Sequence, residues 1–424
     1  MKTLSLFLIE RIPEKSRRAI RNSGLYRFVR KRVYNCLLNR WISLKQNKSK
    51  TTSFSRKMGV NLIGFLGAEL GLGSAARSSA LALNAAGLPV NLINFDLQSY
   101  MKIGDRNPGI QQSTGFDYGI NLIHINPPEY IHLWKRFGKA LLVGRYNIGV
   151  WYWELPDLPD EWLKGFRVLD EIWVATRFVQ ETIQKKSPIP VIKIPPCIQV
   201  ELDLTLTRSD FNLPENVFLF LCAYDANSVS ERKNPLAAIR AFKKAFQEKD
   251  SSVGLVIKVS NSNYDPGAIN QIKHELQGHR NCCLIEDTFP KLKFNSLVNL
   301  VDVYVSLHRS EGFGLIPAEA MFLGKPVILT NWSGNMDFMT HENSCGVDYQ
   351  LIPVKPGLPH YQPGQLWADA DISHAAFLMK KLTSDRGFYN KISMNARATI
   401  VRDFSPEKIG DVMKKRLDEI NGLS

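Results

Sequence analysis

Two carboxylates eight residues apart mark the stretch of this sequence that is best suited to bind hydroxyl groups. Glu311 lies in a loop after an apolar strand, and Glu319 lies in the first turn of a helix whose start Pro317 predicts. An ionised carboxylate only accepts hydrogen bonds, so it pairs naturally with the vicinal diols of a ribose or hexose. Gly312 and Gly314 let the backbone approach a ligand closely. The spacing predicts that both carboxylates bind hydroxyls of one extended ligand, whereas Glu319 alone would only offset the helix dipole.

A glycine-rich turn in the first half suggests a second binding element. Gly71, Gly73 and Ala76 fit the GxGxx[G/A] dinucleotide fingerprint, and Asp96 follows at a spacing suited to a ribose contact. Four residues separate Gly71 from the preceding strand, so the loop is longer than the tight turn of that fingerprint. Three interpretations stay open: amides at the following helix N-terminus that meet a phosphate or sugar, a nicotinamide site, or a turn without a ligand.

The sequence around Glu311 resembles glycosyltransferase family 4. The family's hallmark is an E-x7-E block within EGFGL…EAM…G-x-P-V-I. The matching residues here are Glu311, Glu319, Ala320, Met321, Gly324, Pro326, Val327 and Ile328. The resemblance extends over about residues 59–420. It implies an α/β protein of the GT-B type, in which two Rossmann-like, doubly wound domains face a central cleft.

The resemblance also implies roles for these residues. Glu311 would bind hydroxyls of the donor sugar and Glu319 the nucleotide ribose. Backbone amides of the segment Gly312, Phe313, Gly314 and Leu315 would meet the sugar or the diphosphate. The implied transfer retains the anomeric configuration and needs no metal and no cofactor besides the nucleotide-sugar donor.

A second matching element supplies cations. Arg232 and Lys233 follow the strand 218–222, where fixed positive charge would stabilise the leaving diphosphate. The family usually has another arginine about five residues before this lysine, but Ser228 stands in that region. The division of labour between Arg232 and Lys233 is therefore open, and Lys258 is a candidate to assist them. The alternative is that both cations are solvated surface residues.

Three further features lie at predicted strand ends or in loops. His124 resembles a family histidine near the sugar's C6 hydroxyl or the acceptor, although a lone histidine there can equally be structural. The cluster Trp151, Trp153 and Glu154 could stack on a sugar or fill a gap between domains. Asp369-Ala-Asp371 has the form of a metal-binding DxD, but we interpret it as helix capping.

Alternating strand and helix signals must position these residues. In the first half, strands are predicted over 60–66, 88–95, 119–125, 144–151 and 171–175, with a helix over about 74–86. The proline-rich residues 187–196 predict an interdomain linker. In the second half, strands are predicted over 218–222, 254–259, 283–285, 301–306 and 326–330, and Ser405-Pro406 begins a last helix. We therefore expect domains at 58–190 (acceptor) and 197–404 (donor), the first completed by the helix 405–424.

Charge sets the first 57 residues apart. They contain 16 Lys or Arg and two acids, which accounts for the chain's whole net charge of +14. Tyr26, Val29, Val33, Leu37 and Trp41 form a helical apolar stripe among these cations. Such a helix suits an anionic membrane surface. Docking on the enzyme body remains an alternative. Nucleic acid is the least favoured partner, because no recognised module for it accompanies the charge.

The composition of the sequence argues against a membrane-spanning or a secreted protein. No apolar run is long enough to span a bilayer, the N-terminus lacks a signal cleavage site, and the six cysteines show no CxxC spacing. We therefore expect a cytoplasmic enzyme, peripheral on the inner face of the cytoplasmic membrane. It would move a hexosyl group of mannose or glucose type to a saccharide or lipid-linked acceptor in cell-surface polysaccharide or lipopolysaccharide synthesis. The alternatives are an NAD-dependent oxidoreductase, a GT-B epimerase or phosphorylase, and a catalytically silent sugar-binding protein.

Overall fold

The computed structural model describes residues 57–68, 71–95, 115–142 and 144–422. The basic N-terminal segment, apart from Lys57, and Asp96 lie outside these ranges, so the hypotheses that concern them stay predictions. Within the described ranges, no helix is both long and apolar enough to cross a lipid bilayer.

The first domain is built on a six-stranded parallel sheet. Its strands are β1 (Val60–Gly64), β2 (Val90–Asn94), β3 (Ile120–His124), β4 (Tyr146–Trp151), β5 (Glu171–Val174) and β6 (Val191–Lys193). Its helices are α1 (Gly71–Ala85), α2 (Tyr130–Phe137), α3 (Lys139–Leu142) and α4 (Arg177–Gln184). The strand order is β2-β1-β3-β4-β5-β6. Apolar clusters lie on both faces of this sheet, as a doubly wound fold requires.

The second domain repeats this plan. Its strands are β7 (Phe218–Asp225), β8 (Val253–Ser260), β9 (Cys282–Ile285), β10 (Val303–Ser306), β11 (Val327–Thr330) and β12 (Cys345–Val347). Its helices are α5 (Ser230–Lys233), α6 (Pro235–Ala245), α7 (Pro266–Glu275), α8 (Lys291–Leu300) and α9 (Leu315–Phe322). The strands are parallel, in the order β12-β11-β10-β7-β8-β9. The predicted fold class, two doubly wound α/β domains of the GT-B type, is confirmed.

An antiparallel hairpin and three helices follow the second sheet. They are β13 (Tyr349–Pro353), β14 (Leu366–Ala370), α10 (Ile372–Ser384), α11 (Arg386–Asp403) and α12 (Pro406–Gly422). The hairpin and its connecting loop send Val354, Tyr361 and Trp367 into an apolar cluster that belongs mainly to the first domain. The hairpin therefore adds apolar contact between the two domains.

Helix α12 returns to the first domain. Ser405 caps it, since the Lys408 amide donates to the Ser405 Oγ at 3.2 Å. The helix packs so closely on α1 that a Cβ added at Gly410 would lie 2.3 Å from the Ala82 carbonyl oxygen. Arg416 binds the fully buried Glu171, with its Nε 3.1 Å from each carboxylate oxygen.

Two local predictions were wrong. The proline-rich segment 187–196 is not only a linker, because β6 lies within it and pairs with β5. Helix α1 begins at Gly71 and not near Ser74, so Gly71 and Gly73 belong to its first turn and not to an open loop.

Candidate functional site

The loop between β10 and α9 carries the predicted donor-binding residues. Gly314 precedes the helix with φ of 100°, a left-handed conformation that a glycine adopts without strain. It gives α9 no side-chain cap, so the first amides of the helix have no intrahelical acceptor. Glu319 is largely buried on the helix. The two carboxylates therefore flank a helix N-terminus that favours negative charge.

Glu311 is held by the two predicted cations. The Lys233 ammonium donates to its Oε1, and Arg232 Nη1 lies 3.3 Å from its Oε2. Burial alone would raise the pKa of Glu311, but the charges of Lys233 and Arg232 outweigh it and hold this pKa at about 2. Glu311 is therefore ionised, and can only accept hydrogen bonds, throughout the physiological range.

The side chains of Arg232 and Lys233 differ in their exposure to solvent. The Arg232 side chain is 4% exposed, and its Nη1 donates to the Ser310 carbonyl oxygen at 2.7 Å. The Lys233 side chain is 18% exposed. Arg232 is thus enclosed by protein acceptors, and Lys233 is the more accessible of the two.

Glu319 has a partner that the sequence did not indicate. Lys291, the first residue of α8, places its Nζ 2.5 Å from Glu319 Oε2. The carboxylate that is predicted to bind the ribose is thus paired with a lysine.

The segment from Gly312 to Leu315 can contact a ligand through its backbone rather than through its side chains. The Phe313 ring is buried against Phe338 and Phe404, so only its main chain can face a ligand. Gly312 touches the first domain: its carbonyl oxygen accepts from Thr176 Oγ1 at 2.9 Å. A Cβ there would lie 2.9 Å from the Trp153 carbonyl oxygen.

Lys258 lies at the end of β8 beside aromatic rings. Its ammonium donates to the Ser260 hydroxyl and lies 5.1 Å from the Phe294 ring centre and 5.4 Å from that of Phe289. Burial lowers the pKa of Lys258 to about 8. Lys258 therefore contacts Ser260 and two phenylalanine rings.

His124 ends β3, where its backbone pairs with Gly64 of β1. Its side chain is buried, and neither ring nitrogen has a hydrogen-bond partner among the described residues. Burial lowers the pKa of His124 to about 3, so the ring is neutral near pH 7. A buried imidazole without a partner is costly, which marks this position as one where a ligand or water would be bound.

The two glycines of α1 have different surroundings. A Cβ at Gly73 would lie 2.4 Å from the Ala68 carbonyl oxygen and 2.6 Å from that of Phe65, so glycine is required there by packing. Gly71 has no atoms within 4 Å of such a Cβ and is exposed. Packing therefore accounts for Gly73 without a ligand.

Sequence reasoning gave no role to Tyr361 or His308 and did not predict the contact between Glu154 and Arg232. Glu154 lies 3.7 Å from Arg232 Nη2, and the Tyr361 hydroxyl donates to Glu154 at 3.3 Å. His308 is buried, with Ser306 Oγ at 3.1 Å and Asn335 Oδ1 at 2.9 Å from its ring nitrogens. The sequence singled out Glu154 only as a member of the aromatic cluster with Trp151 and Trp153. No local pattern indicated Tyr361 or His308.

The aromatic cluster and the DxD now have structural roles. Trp151 and Trp153 are buried with Trp162, and Trp153 also meets Tyr361 across the domain boundary. Asp371 caps α10, accepting from the Ser373 and His374 amides at 2.7 and 3.1 Å, as expected. No group of three His, Cys, Asp or Glu side chains in the described residues is arranged to hold a metal ion.

Comparison with known proteins bears on this site. Residues 208–350 match the family model described as Glycosyl transferases group 1, a range that contains Lys233, Glu311 and Glu319. No curated protein sequence matches this chain.

Several solved structures share the fold. HepE (Alr3699) of Anabaena, in complex with UDP and glucose, has a TM-score of 0.59 and 14% identity, covering 86% of this chain and 100% of that one. Sucrose-phosphate synthase of Thermosynechococcus elongatus has a TM-score of 0.62 and 13% identity, covering 87% and 100%. The pneumococcal O-GlcNAc transferase GtfA, in complex with UDP and GlcNAc, has a TM-score of 0.50 and 17% identity, covering 71% and 56%. This chain therefore has the two-domain GT-B fold of glycosyltransferases, and its second domain carries the match to the group 1 family.

Proposed function

We propose that this protein is a retaining glycosyltransferase that moves a hexosyl group from a nucleoside-diphosphate sugar to a saccharide or lipid-linked saccharide. The observation that carries the proposal is the pair Glu311 and Glu319 on either side of the α9 N-terminus, within the group 1 family match. Glu311 accepts from the sugar hydroxyls and Glu319 from the ribose, while amides of the first turn of α9 meet the diphosphate. The bound UDP of HepE and GtfA makes a uridine nucleotide the first donor to test.

Lys233 is the cation that we assign to the leaving diphosphate. It is more exposed than Arg232 and already lies against Glu311, where the sugar would be bound. Arg232 is enclosed, and its role is to orient Glu311. With no nucleophile assigned, we propose that the acceptor attacks from the face that the diphosphate leaves, and that a diphosphate oxygen takes the acceptor's proton. Catalysis then depends on positioning and on charge stabilisation, without a metal.

The first domain binds the acceptor in this proposal. Among the described residues, the His124 ring has no hydrogen-bond partner, and it lies at the carboxyl edge of its sheet, where ligands of doubly wound folds bind. Its neutral imidazole hydrogen-bonds a hydroxyl of the acceptor or of the donor sugar. The basic residues 1–57 would hold the enzyme at an anionic membrane surface, where a lipid-linked acceptor for polysaccharide synthesis would be found.

Thermal-shift measurements on the full chain test the donor site. UDP-, GDP- and ADP-linked glucose or mannose are compared, with and without EDTA. A donor at about 100 times its dissociation constant adds about 2.7 kcal/mol of stability. We expect one base to stabilise the parent, EDTA to change nothing, and Glu319→Ala to abolish the shift. No shift with any donor, or an equal shift in the variant, would refute the assignment.

Stereochemistry and membrane attachment need separate tests. Proton NMR of the first-formed glycoside identifies its anomer, and an inverted product would exclude retention. Deletion of residues 1–57 is expected to abolish binding to vesicles that contain anionic lipid, and unchanged binding would contradict the membrane role.

A further inference from the structure

Glu154 brings the first domain into direct contact with the loop that carries Glu311. Glu154 follows β4 by three residues, and its carbonyl oxygen accepts from the Ser310 hydroxyl. The preceding residue, Trp153, lies against Gly312. The main chain of one domain is therefore seated on the residues that flank the sugar-binding carboxylate of the other.

The Glu154 side chain completes a charge cluster across the domain boundary. Arg232 lies between two carboxylates, with Nη1 at 3.3 Å from Glu311 and Nη2 at 3.7 Å from Glu154. With Lys233, two cations face two anions, and Arg232 is almost wholly buried. A buried cation must be compensated, and here the compensation comes partly from each domain.

Tyr361 fixes the position of Glu154. Its hydroxyl donates to Glu154 Oε2 at 3.3 Å, and its ring packs against Trp153 with 5.8 Å between ring centres. The ring also meets Trp367, with centres 6.2 Å apart. The hairpin loop of the second domain thus holds both the aromatic and the acidic residue of the first domain.

We propose that Glu154 is a positioning residue that sets the donor-sugar carboxylate through Arg232, and does so only while the two domains are in contact. This inference rests on the proposed function. Without the charge of Glu154, Glu311 would be the only one of these two carboxylates left to compensate Arg232. Glu311 would then be drawn into a tighter pair with Arg232 and away from the sugar hydroxyls.

The test separates sugar binding from nucleotide binding. The nucleoside diphosphate that binds the parent most tightly is chosen from UDP, GDP and ADP, and its dissociation constant is compared with that of the matching nucleotide glucose or mannose. Glu154→Gln should reduce the preference for the sugar nucleotide about tenfold, because Arg232 loses one of its two carboxylate partners and draws Glu311 away from the sugar. Binding of the nucleoside diphosphate itself should change less than about twofold. Tyr361→Phe should act in the same direction, more weakly.

Two controls distinguish positioning from a structural effect. Glu161→Gln, an exposed carboxylate in the same domain, should leave both constants unchanged. In a Glu311→Gln background, Glu154→Gln should have no further effect on the sugar preference, because the group that it positions is absent.

The outcomes are separable. If the parent binds none of the nucleoside diphosphates, the proposed function fails and this inference fails with it. If the parent prefers the sugar nucleotide and Glu154→Gln keeps that preference, or loses nucleoside diphosphate binding equally, only the inference fails. An additive effect in the Glu311→Gln background would also overturn it.

Discussion

The buried side chain of His124 makes the folding stability of the protein depend on pH. Its ring is buried and neutral, with the pKa lowered to about 3 from an ordinary value of 6.5. Between these two pH values the unfolded chain takes up a proton that the folded chain does not. Folding stability therefore falls as pH falls below about 6.5.

Replacement of His124 by asparagine should remove this pH dependence. Between pH 7 and pH 5 the parent should lose about 2 kcal/mol more unfolding free energy than His124→Asn. Urea denaturation at several pH values measures the difference. Equal losses in the two proteins would mean that the imidazole is solvated and titrates normally.

Loss of the Lys233 charge should slow the chemical step of the reaction. Lys233→Met is expected to lower kcat by about 100-fold to 1,000-fold, the range seen when one fixed group that stabilises transition-state charge is removed. Donor KM should change much less. Lys249→Met, at an exposed lysine of the same domain, serves as the control. A change confined to KM would mean that Lys233 only binds the donor.

At the scale of elements, the start of α9 depends on Gly314. Its φ of 100° is strained for any residue with a Cβ, so Gly314→Ala should cost about 1 to 2 kcal/mol of stability. It should also displace the helix's first turn and weaken donor binding. Gly357→Ala is a matched control, because Gly357 has φ of 89° and open space around it. The control should lose similar stability and keep its donor affinity, and equal donor affinity in both variants would contradict this role of α9.

An element could be predicted from the sequence when its own residues form a recognisable pattern, and could not when its role depends on contacts with distant residues. The strands that end at His124 and Ser306 are mostly apolar and almost wholly buried, so a local pattern sufficed to find them. The hairpin β13–β14 is half exposed and was not predicted, and Tyr361 acquires its role only by packing against Trp153 of the other domain. In the same way, the family resemblance assigned Glu311 and Lys233 to one donor, but nothing local indicated that Lys291 pairs with Glu319 or Glu154 with Arg232.

The relative position of the domains involves a second carboxylate, Asp337. It lies in a 3₁₀ turn of the second domain and accepts from the Arg177 amide at 3.0 Å, at the start of α4 in the first domain. Lys193 of β6 also donates to it, at 2.8 Å. Asp337 therefore contributes a charged contact to the closed arrangement.

Loss of the Asp337 charge should favour a more open molecule. We expect Asp337→Asn to raise the radius of gyration in small-angle scattering and to raise donor KM several-fold, because closure completes the site. Asp385→Asn is the control: Asp385 caps α11 within the second domain, and asparagine caps equally well. Scattering that is identical for the parent and Asp337→Asn would show that this contact does not set closure.

The return of α12 to the first domain has a consequence for synthesis on the ribosome. The strands of the first domain emerge early, but the helix that covers Ala82 and supplies Arg416 to the buried Glu171 is made only after the whole second domain. Until then an apolar surface of α1 and a carboxylate without its cation remain exposed on the nascent chain. The domain that begins first is thus completed last, and during translation the second domain must fold beside an unfinished neighbour.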